Sequence, residues 1–407
     1  MTSYLYLDTA RLGRMCPEAQ AADRDFARFA GDEGCSLYFE RFLRWGYTGL
    51  PPTRAHRYPA LAFWAGVTPF KHDLRTVLGL PRERHVLIAN RSAQLVRLAA
   101  RLLCLRCENI LVTDMEWPAY MRTLTAEAGR RGREVTVVPL YDSVFRQKNT
   151  QEQLVRRLAD EYRRQNCDGL FLSAVTYRGV RLPIRELVAA LSDGDRPRFV
   201  VVDGAQALNH VPLGLQDEYC DLLLAGCHKW LRAYQPLGLT CCCRASSEGF
   251  VSAVCQEMLD SGELDDPLLS FTGQLETDRL QAFSETVNIS PLFTAAAAVR
   301  RMVASGRSKR AELECQLDNA DGLAECAEHA GWRPVRPSDP LHTGILLLEA
   351  ARLETQSAPV DILRERFLTA GVALTAYDGG LVRASLPDRL LSRRRLDALH
   401  AALCRCA

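Results

Sequence analysis

The sequence predicts an α/β protein whose larger domain is built on a mainly parallel sheet of about seven strands flanked by helices. From about residue 85, short apolar runs rich in β-branched residues alternate with amphipathic helical segments. The runs are apolar throughout, as in strands that are buried on both faces of a parallel sheet. At 407 residues and 47% hydrophobic content, the chain is long enough to bury a large core and to form two domains.

The predicted strands and helices follow one another in a regular order. The apolar runs expected to be strands are HVLIAN, NILVTD, EVTVVPLY, GLFLSAV, FVVVDGA, DLLLAGCHKWL and GLTCCCR. The helical segments between them are SAQLVRLAARLLCLR, WPAYMRTLTAEAGRRG, TQEQLVRRLADEYRRQN and IRELVAALSDG. In such sheets the ligand binds beyond the carboxyl ends of the strands. The candidate site segments are therefore 90–93, 114–120, 176–179, 203–206 and 226–229.

A different pattern begins near residue 290. A long helical stretch is followed by TGILLLEA, DILRERFLTAGVALTAY, LVRASL and SRRRLDALHAALCRC, in which strand and helix alternate. We expect an N-terminal segment, residues 1–20, that packs with a small α+β domain at residues 290–407. Residues 21–289 are expected to form the large domain.

The composition argues against several classes of partner. The net charge of +2 does not favour binding to nucleic acid or to a membrane surface. No apolar stretch approaches the ~20 residues that a membrane span needs, and the N-terminus has no signal-peptide pattern. We expect a cytoplasmic protein. Its fifteen cysteines lack the usual zinc-site spacing, so we expect mostly buried thiols and no metal site.

Two charged residues stand at the ends of apolar runs, 26 positions apart. Asp203 ends FVVVD, and Lys229 follows His228 after DLLLAGC. A lysine amine can form a Schiff base with the aldehyde of pyridoxal phosphate. A carboxylate can stabilise the protonated ring nitrogen of the same cofactor. The spacing favours a pyridoxal-phosphate site, although Asp and Lys are common at strand ends.

The sequence motifs around these residues resemble those of the aminotransferase class V family. This group includes cysteine desulfurases, isopenicillin-N-epimerase-like enzymes and C–S lyases. These motifs are DGAQALNHVPL, GCHKWL and PLGLTC, and the N-terminal YLYLDTARLG is similar to the family's first segment. The resemblance implies fold type I of the pyridoxal-phosphate enzymes, an amino-acid substrate and a homodimer with shared active sites.

The resemblance also implies catalytic and cofactor-binding roles. Lys229 would carry pyridoxal 5′-phosphate and act as the base, with Asp203 at the ring nitrogen. His228 would lie beside the lysine and near the cofactor phosphate, as the third catalytic residue. Gln206 would hydrogen-bond the ring hydroxyl, and Trp117 would stack on the ring.

The cofactor phosphate is expected at the start of a helix. ANRSAQ stands where the family has a Gly-Thr-rich loop, which makes Arg91, Ser92 and Ala93 the candidate ligands, and a helix N-terminus attracts anions. FSETVN resembles a segment that reaches the neighbouring subunit's phosphate site, which implies that Thr286 binds there. Glu285 replaces a glycine of that segment, and we expect it to face away from the phosphate. The loop at residues 46–60 is a second candidate for contacts between subunits.

One arginine and three tyrosines are the candidate substrate contacts. LVRASL resembles the family's RASL word, whose arginine binds the α-carboxylate, so Arg383 is the expected clamp. Tyr177 takes the place of an asparagine that faces cofactor and substrate. Tyr377 lies just ahead of the clamp. Tyr234 belongs to the unusually long HKWLRAYQPLG segment, which is expected to form a lip over the pocket.

The resemblance leaves the reaction open. Desulfurases carry a sulfur-accepting cysteine on a loop before the RASL word, whereas LTAYDGGLVRASL is short and contains none. We therefore expect an enzyme that forms an external aldimine, deprotonates Cα and ends in β-elimination of the C–S lyase type or in transamination. Decarboxylation, oxidative deamination and epimerisation are alternatives, and a non-catalytic binding protein of the same fold is a third class.

Overall fold

A seven-stranded sheet forms the centre of the larger part of the molecule. The computed structural model describes residues 4–34, 36–49, 53, 56–191, 194–277, 286–306 and 308–407. The strands of the large sheet are β2 Val86–Ala89, β3 Asn109–Thr113, β4 Glu134–Val138, β5 Gly169–Ser173, β6 Phe199–Asp203, β7 Leu222–Gly226 and β8 Gly238–Cys242. Their order across the sheet is β2-β8-β7-β6-β5-β3-β4. The run from β4 to β7 is parallel, and β8 is antiparallel to both β7 and β2.

The large sheet is buried on both faces, as its apolar sequences require. Side chains alternate along each strand, so Leu170 and Val200 point into one core cluster, whereas Phe171 and Val201 point into the other. Of the strands in this sheet, β4 at the edge is the one that is partly exposed. The predicted fold class, an α/β protein with a mainly parallel sheet, is confirmed.

A smaller antiparallel sheet follows in the C-terminal part. Its strands are β9 Trp332–Val335, β10 Ile345–Ala350, β12 Thr375–Tyr377 and β13 Leu381–Ser385, in the order β12-β13-β10-β9. A separate pair joins the two ends of the chain, because β1 Leu5–Tyr6 runs parallel to β11 Val372–Ala373. The boundaries of the domains at residues 20 and 289 stay a prediction.

The helices cover both sheets and begin with recognisable signals. They are α1 Pro17–Glu33, α2 Ser36–Trp45, α3 Val67–Leu78, α4 Ser92–Arg106, α5 Pro118–Arg131, α6 Tyr141–Phe145, α7 Gln151–Arg164, α8 Ile184–Ala190, α9 Glu248–Asp260, α10 Pro267–Glu276, α11 Ser290–Ala304, α12 Lys309–His329, α13 Leu353–Gln356, α14 Val360–Thr369 and α15 Arg393–Cys406. Proline stands in the first turn of α1, α5, α10 and α11, where its missing N–H costs no helical bond. No helix among the described residues is long and apolar enough to cross a membrane.

Candidate active site

The predicted site segments meet at one edge of the large sheet. Since β2 and β7 are both antiparallel to β8, β2 runs in the same direction as the parallel strands. The carboxyl ends of β2, β3, β5, β6 and β7 therefore share this edge. The register pairs Ser173 with Asp203 and Asp203 with Leu224, and the chain continues from β7 into His228 and Lys229.

Lys229 and Asp203 interact in a buried pocket. Burial lowers the pKa of Lys229 to about 8, and Arg383 also lowers it, while Asp203 acts in the opposite direction. Burial raises the pKa of Asp203, against a hydrogen bond of 2.8 Å from the Ala205 N–H and the charge of Lys229. A lysine with this pKa is partly neutral near pH 8, and the neutral amine is the form that attacks an aldehyde or accepts a proton.

A second buried carboxyl, Glu116, lies next to Asp203 and is absent from the predicted site residues. The hydroxyl of Thr113 donates to Oε1 of Glu116 at 2.9 Å, and that of Ser173 donates to Oε2. Ser173 is also the residue paired with Asp203 on the neighbouring strand. Burial, with a contribution from Asp203, raises the pKa of Glu116 to about 8. Glu116 is therefore mostly protonated at neutral pH, and its position inside the predicted 114–120 segment is the one sequence signal that marks it.

Gln206 is buried, and both ends of its side-chain amide are bonded within the protein. Nε2 donates to the Ala10 carbonyl at 2.7 Å, and Oε1 accepts from Nε1 of Trp230 at 2.9 Å. One Nε2 hydrogen is left for the predicted bond to a cofactor hydroxyl. Nδ1 of His228 is buried without a partner, and burial, with the charge of Lys229, lowers the pKa of His228 to about 4. This neutral ring offers an unused nitrogen to a ligand.

Helix α4 begins at the predicted phosphate loop. Arg91 is its N-cap residue, so the N–H groups of Ser92 and Ala93 belong to the first turn and have no helical acceptor. Oγ of Ser92 lies 3.1 Å from the hydroxyl of Tyr120. A Cβ added at Gly238 would lie 2.5 Å from the Ser92 nitrogen, so glycine is what lets β8 pass this close. The loop has the unpaired donors and the small neighbours that a phosphate needs.

The same loop is held from outside by an acidic residue that the sequence does not predict for the site. The Asn90 N–H donates to both carboxylate oxygens of Asp266 at 3.0 Å. Asp266 also caps helix α10 by accepting from the Leu269 N–H at 3.0 Å. The Asn90 donor is thus taken by the protein, and the donors of the first turn of α4 are the ones left for an anion.

Three predicted aromatic residues lie together beside this edge of the sheet. The ring of Trp117 meets that of Tyr177 edge to face, with centroids 5.5 Å apart, and Tyr177 lies 6.4 Å from Tyr377. The side chain of Trp117 is 44% exposed within the single chain. Its indole face is therefore open to a planar ligand, as the predicted stacking role requires.

Arg383 is 3% exposed and is positioned by several polar groups. Nη1 donates to the Tyr177 carbonyl at 3.0 Å, Nη2 donates to the Thr375 hydroxyl at 3.3 Å, and Nε is buried without a partner. The carboxylate of Asp8 lies 3.9 Å from Nη2 and also accepts from the Thr375 hydroxyl. These contacts orient the guanidinium and leave Nε for the predicted carboxylate clamp.

The N-terminal segment lies directly against the lysine loop. The Gly13 N–H donates to the His228 carbonyl at 2.7 Å, and the Cys16 N–H donates to the Arg232 carbonyl at 3.0 Å. A Cβ added at Gly13 would lie 1.9 Å from the Lys229 carbonyl oxygen. Glycine is therefore required for this approach of two backbones.

Replacing Gly13 by alanine should destabilise the protein and its hold on the lysine loop. The added methyl group has to displace backbone, and overpacking of this kind costs typically about 1–3 kcal/mol of the free energy of unfolding. Urea unfolding followed by circular dichroism measures the loss. Gly249→Ala is the matched control, because Gly249 lies in α9 with no atom within 4 Å of the added Cβ, and alanine favours a helix. Equal effects of the two substitutions would show that the Gly13 contact is unimportant.

Two further predicted site residues, Thr286 and Tyr234, are not connected to Lys229 by any contact described above. Thr286 is exposed, just ahead of α11, and Glu285 lies outside the described residues. Tyr234 is 47% exposed and has a left-handed φ of 67°. Its place in the substrate pocket stays a prediction.

The loop at residues 46–60 is described in part. Residues 46–49 form a 3₁₀ turn, and residues 59–61 form another. Residues 50–52 and 54–55 lie outside the described part of the chain. The predicted contact of this loop with a second subunit stays a prediction.

Most described cysteines are buried. Eleven of the fourteen cysteines in the described part of the chain are buried, two are intermediate, and Cys404 is exposed. Cys227, the cysteine nearest to Lys229 in sequence, has a pKa raised to about 12 by burial. No group of three or more potential metal ligands occurs among the described residues. None of the buried thiols has the exposure that a mobile sulfur acceptor needs.

Comparisons with known proteins agree with this geometry. The family model "Aminotransferase class-V" matches residues 54–260. A probable cysteine desulfurase of Haemophilus influenzae is 29% identical over 132 residues, which are 32% of this chain and 28% of that protein. The chain thus spans less than a third of the length of this curated relative.

Solved structures match over nearly the whole chain. The cysteine desulfurase CsdA from Escherichia coli has a TM-score of 0.68 at 17% identity, covering 99% of this chain and 94% of its own. A variant of C-DES with glycine covalently linked to the PLP cofactor has a TM-score of 0.69 at 14% identity, covering 98% and 96%. The cystine C–S lyase C-DES in complex with cysteine persulfide has a TM-score of 0.68 at 14% identity, covering 98% and 97%. At these identities the matches show a common fold.

Proposed function

Because this chain belongs to the aminotransferase class V family, with pyridoxal 5′-phosphate as its cofactor, we propose that it is an enzyme that deprotonates an α-amino acid at Cα. We further propose that the reaction ends in β-elimination of the C–S lyase type, with transamination as the second outcome. The observation that carries the proposal is that Lys229 and Asp203 lie together at the carboxyl edge of the sheet, near enough for each charge to act on the pKa of the other group.

The residues present fit the cofactor. Bound pyridoxal phosphate supplies an aldehyde and an electron-accepting ring. Ser92 and Ala93 would hold its phosphate with the free N–H groups of α4, and Trp117 would cover one face of the ring. The orphaned Nδ1 of His228 and the spare Nε2 hydrogen of Gln206 are polar atoms that a ligand can satisfy. Arg91 lies at the same helix start.

Lys229, Asp203 and Arg383 each have a different role toward the substrate. The amine of Lys229, with its pKa near 8, takes the Cα proton. Asp203 would face the ring nitrogen of the cofactor, where its carboxylate would stabilise the protonated ring. Arg383 binds the α-carboxylate and is oriented by Asp8 and the Tyr177 carbonyl. Tyr177 and Tyr377 then border the side chain of the substrate.

The hairpin ahead of Arg383 disfavours a protein-bound sulfur intermediate. Strands β12 and β13 pair from Tyr377 with Leu381 onward, so residues 378–380 form a tight turn. No cysteine occurs in residues 374–383. C-DES, a cystine C–S lyase whose reaction product is cysteine persulfide, provides a precedent for sulfur that leaves on a small molecule.

Incubation with L-cysteine should release sulfide, pyruvate and ammonia in equal amounts. With L-cystine, the expected products are cysteine persulfide, pyruvate and ammonia. Mass spectrometry of products and of the intact protein measures these outcomes, and Cys227→Ala should react like the native enzyme because this thiol is buried. Formation of a keto acid that retains sulfur would indicate transamination. Alanine together with a persulfide on one enzyme cysteine would contradict the proposal.

We also propose a homodimer in the cytoplasm. The exposed position of Thr286 supports the dimer, because the family resemblance places this residue at the neighbouring subunit's phosphate. Light scattering on the eluting protein should give twice the chain mass of 45.5 kDa. A monomer that turns over the substrate at full rate would show that Thr286 is not needed across an interface.

A further inference from the structure

A second cavity, distinct from the candidate active site, lies behind the N-terminal segment. Its volume is about 350 Å³, and we call it the arginine cavity. One wall is the segment of Tyr6 and Arg14, another is the first turn of α12 at Lys309, and a third is the start of α15 at Arg395. None of the predicted catalytic residues lines it. The volume lies within the range of small-molecule sites, about 300–1,000 Å³.

The walls of the arginine cavity carry an excess of positive charge. Of the residues that the structure describes, six basic ones line it, against the two acidic residues Glu312 and Asp388. Two of the six are paired, since Arg301 meets Glu18 at 3.4 Å and Lys309 meets Glu312. The remaining four form no ion pair within the described part of the chain; they are Arg14, Arg232, Arg389 and Arg395. Unpaired cations that converge on a cavity attract an anion.

Two amide oxygens on the same walls also lack partners. Gln316 is 3% exposed, and its Oε1 accepts no hydrogen bond. Nδ2 of Asn209 donates to the Trp230 carbonyl at 2.9 Å, while Oδ1 of Asn209 is buried without a donor. Leaving a buried acceptor unpaired costs free energy. Both oxygens are closed off from solvent, so the arginines are the groups that a ligand in the cavity would contact.

We infer that the arginine cavity binds a small molecule that carries a phosphate group. Its phosphate pairs with the unpaired arginines, whose planar guanidinium groups match phosphate oxygens two at a time. This site is separate from the loop at Ser92, and the inference does not depend on the reaction proposed above.

The arginine cavity is connected to the lysine loop through the backbone. Nε of Arg232 donates to the Arg14 carbonyl at 3.2 Å, and the neighbouring Gly13 N–H holds the His228 carbonyl. Arg232 itself follows Lys229 by three residues and has a left-handed φ of 64°. A phosphate held by Arg14 and Arg232 therefore also holds the turn that carries the lysine.

Calorimetric titration of the cofactor-loaded protein with glycerol 3-phosphate tests the inference. Loading fills the phosphate loop at Ser92, so that added phosphate reports the arginine cavity. We expect saturable binding with one site per chain for glycerol 3-phosphate and for inorganic phosphate, because the phosphate group is what the arginines bind. Arg395→Ala should weaken binding by about tenfold, because a charge-assisted hydrogen bond is lost.

Arg394→Ala is the matched control, since Arg394 lies on the same helix, is exposed and does not line the cavity. Circular dichroism checks that both variants are folded, and Arg14→Ala gives a second, independent removal of a cavity charge. Absence of saturable binding, or equal weakening by the Arg394 and Arg395 substitutions, would overturn the inference.

Discussion

Replacing Lys229 by alanine should remove the covalent attachment of the cofactor and lower turnover by at least about a thousandfold. General acid–base catalysis by a positioned group contributes typically about 10²–10⁴-fold, and this lysine is also the proposed attachment point. Burial with a pKa near 8 is what makes its amine available for both roles. The free energy of unfolding should change little by comparison, because Lys229 forms no ion pair at contact distance among the described residues.

Borohydride reduction followed by digestion and mass spectrometry measures the attachment directly. The chain contains four lysines, Lys71, Lys148, Lys229 and Lys309, so the modified peptide is identified without ambiguity. We expect the pyridoxyl group on the Lys229 peptide. Lys148→Ala is the control, because Lys148 is exposed and donates to a backbone carbonyl. Modification of Lys71 or Lys309 instead would refute the assignment.

Asp203→Asn should fold and lose activity by orders of magnitude. Removal of one partner of a buried charge pair costs about 3–5 kcal/mol, which corresponds to about 10²–10⁴-fold in rate if the cost falls on the transition state. The amide keeps the shape of the carboxyl but cannot offset the charge of a protonated ring. Steady-state rates, with circular dichroism as the test of folding, measure the effect.

Glu116→Gln is the informative comparison for Asp203→Asn. Glu116 is already mostly protonated at neutral pH because burial raises its pKa, so a neutral amide changes the shape of the site more than its charge. We expect this variant to keep most of its activity and to show a weaker pH dependence near pH 8. A loss as large as that of Asp203→Asn would indicate that Glu116 carries the charge, and near-native rates for Asp203→Asn would place Asp203 away from the ring.

The strand pattern and the family's sequence motifs predict the site residues that lie at the carboxyl ends of strands. Asp203 and Lys229 are predicted because each follows a buried apolar run, and such runs are recognisable from the sequence alone. Asp8 is not predicted as a site residue, because its contacts with Thr375 and Arg383 join residues more than 360 positions apart. Glu116 is missed for another reason, since burial and a neighbouring carboxylate determine its protonation and neither is visible in DMEWPAY.

Some predicted residues have contacts that no sequence pattern shows. Gln206 shares its amide between the Ala10 carbonyl and the Trp230 indole, and this arrangement depends on packing between distant segments. The close approach of Gly13 to the Lys229 carbonyl is of the same kind. Apolar runs predict where strands end, whereas these contacts depend on how the N-terminal segment packs against residues 206–230.

The pairing of β1 with β11 sets an order of events during synthesis. Leu5 leaves the ribosome 367 residues before its partner Val372, and the large sheet is complete once Cys242 has been made. Domains generally fold as units during synthesis, so this sheet can form while the first strand still lacks its neighbour. Gly13 follows β1 by seven residues, so the pairing of β1 with β11 restrains the segment that contacts the lysine loop. We expect a newly made chain that stops before Val372 to hold this segment, and with it the cofactor, less firmly.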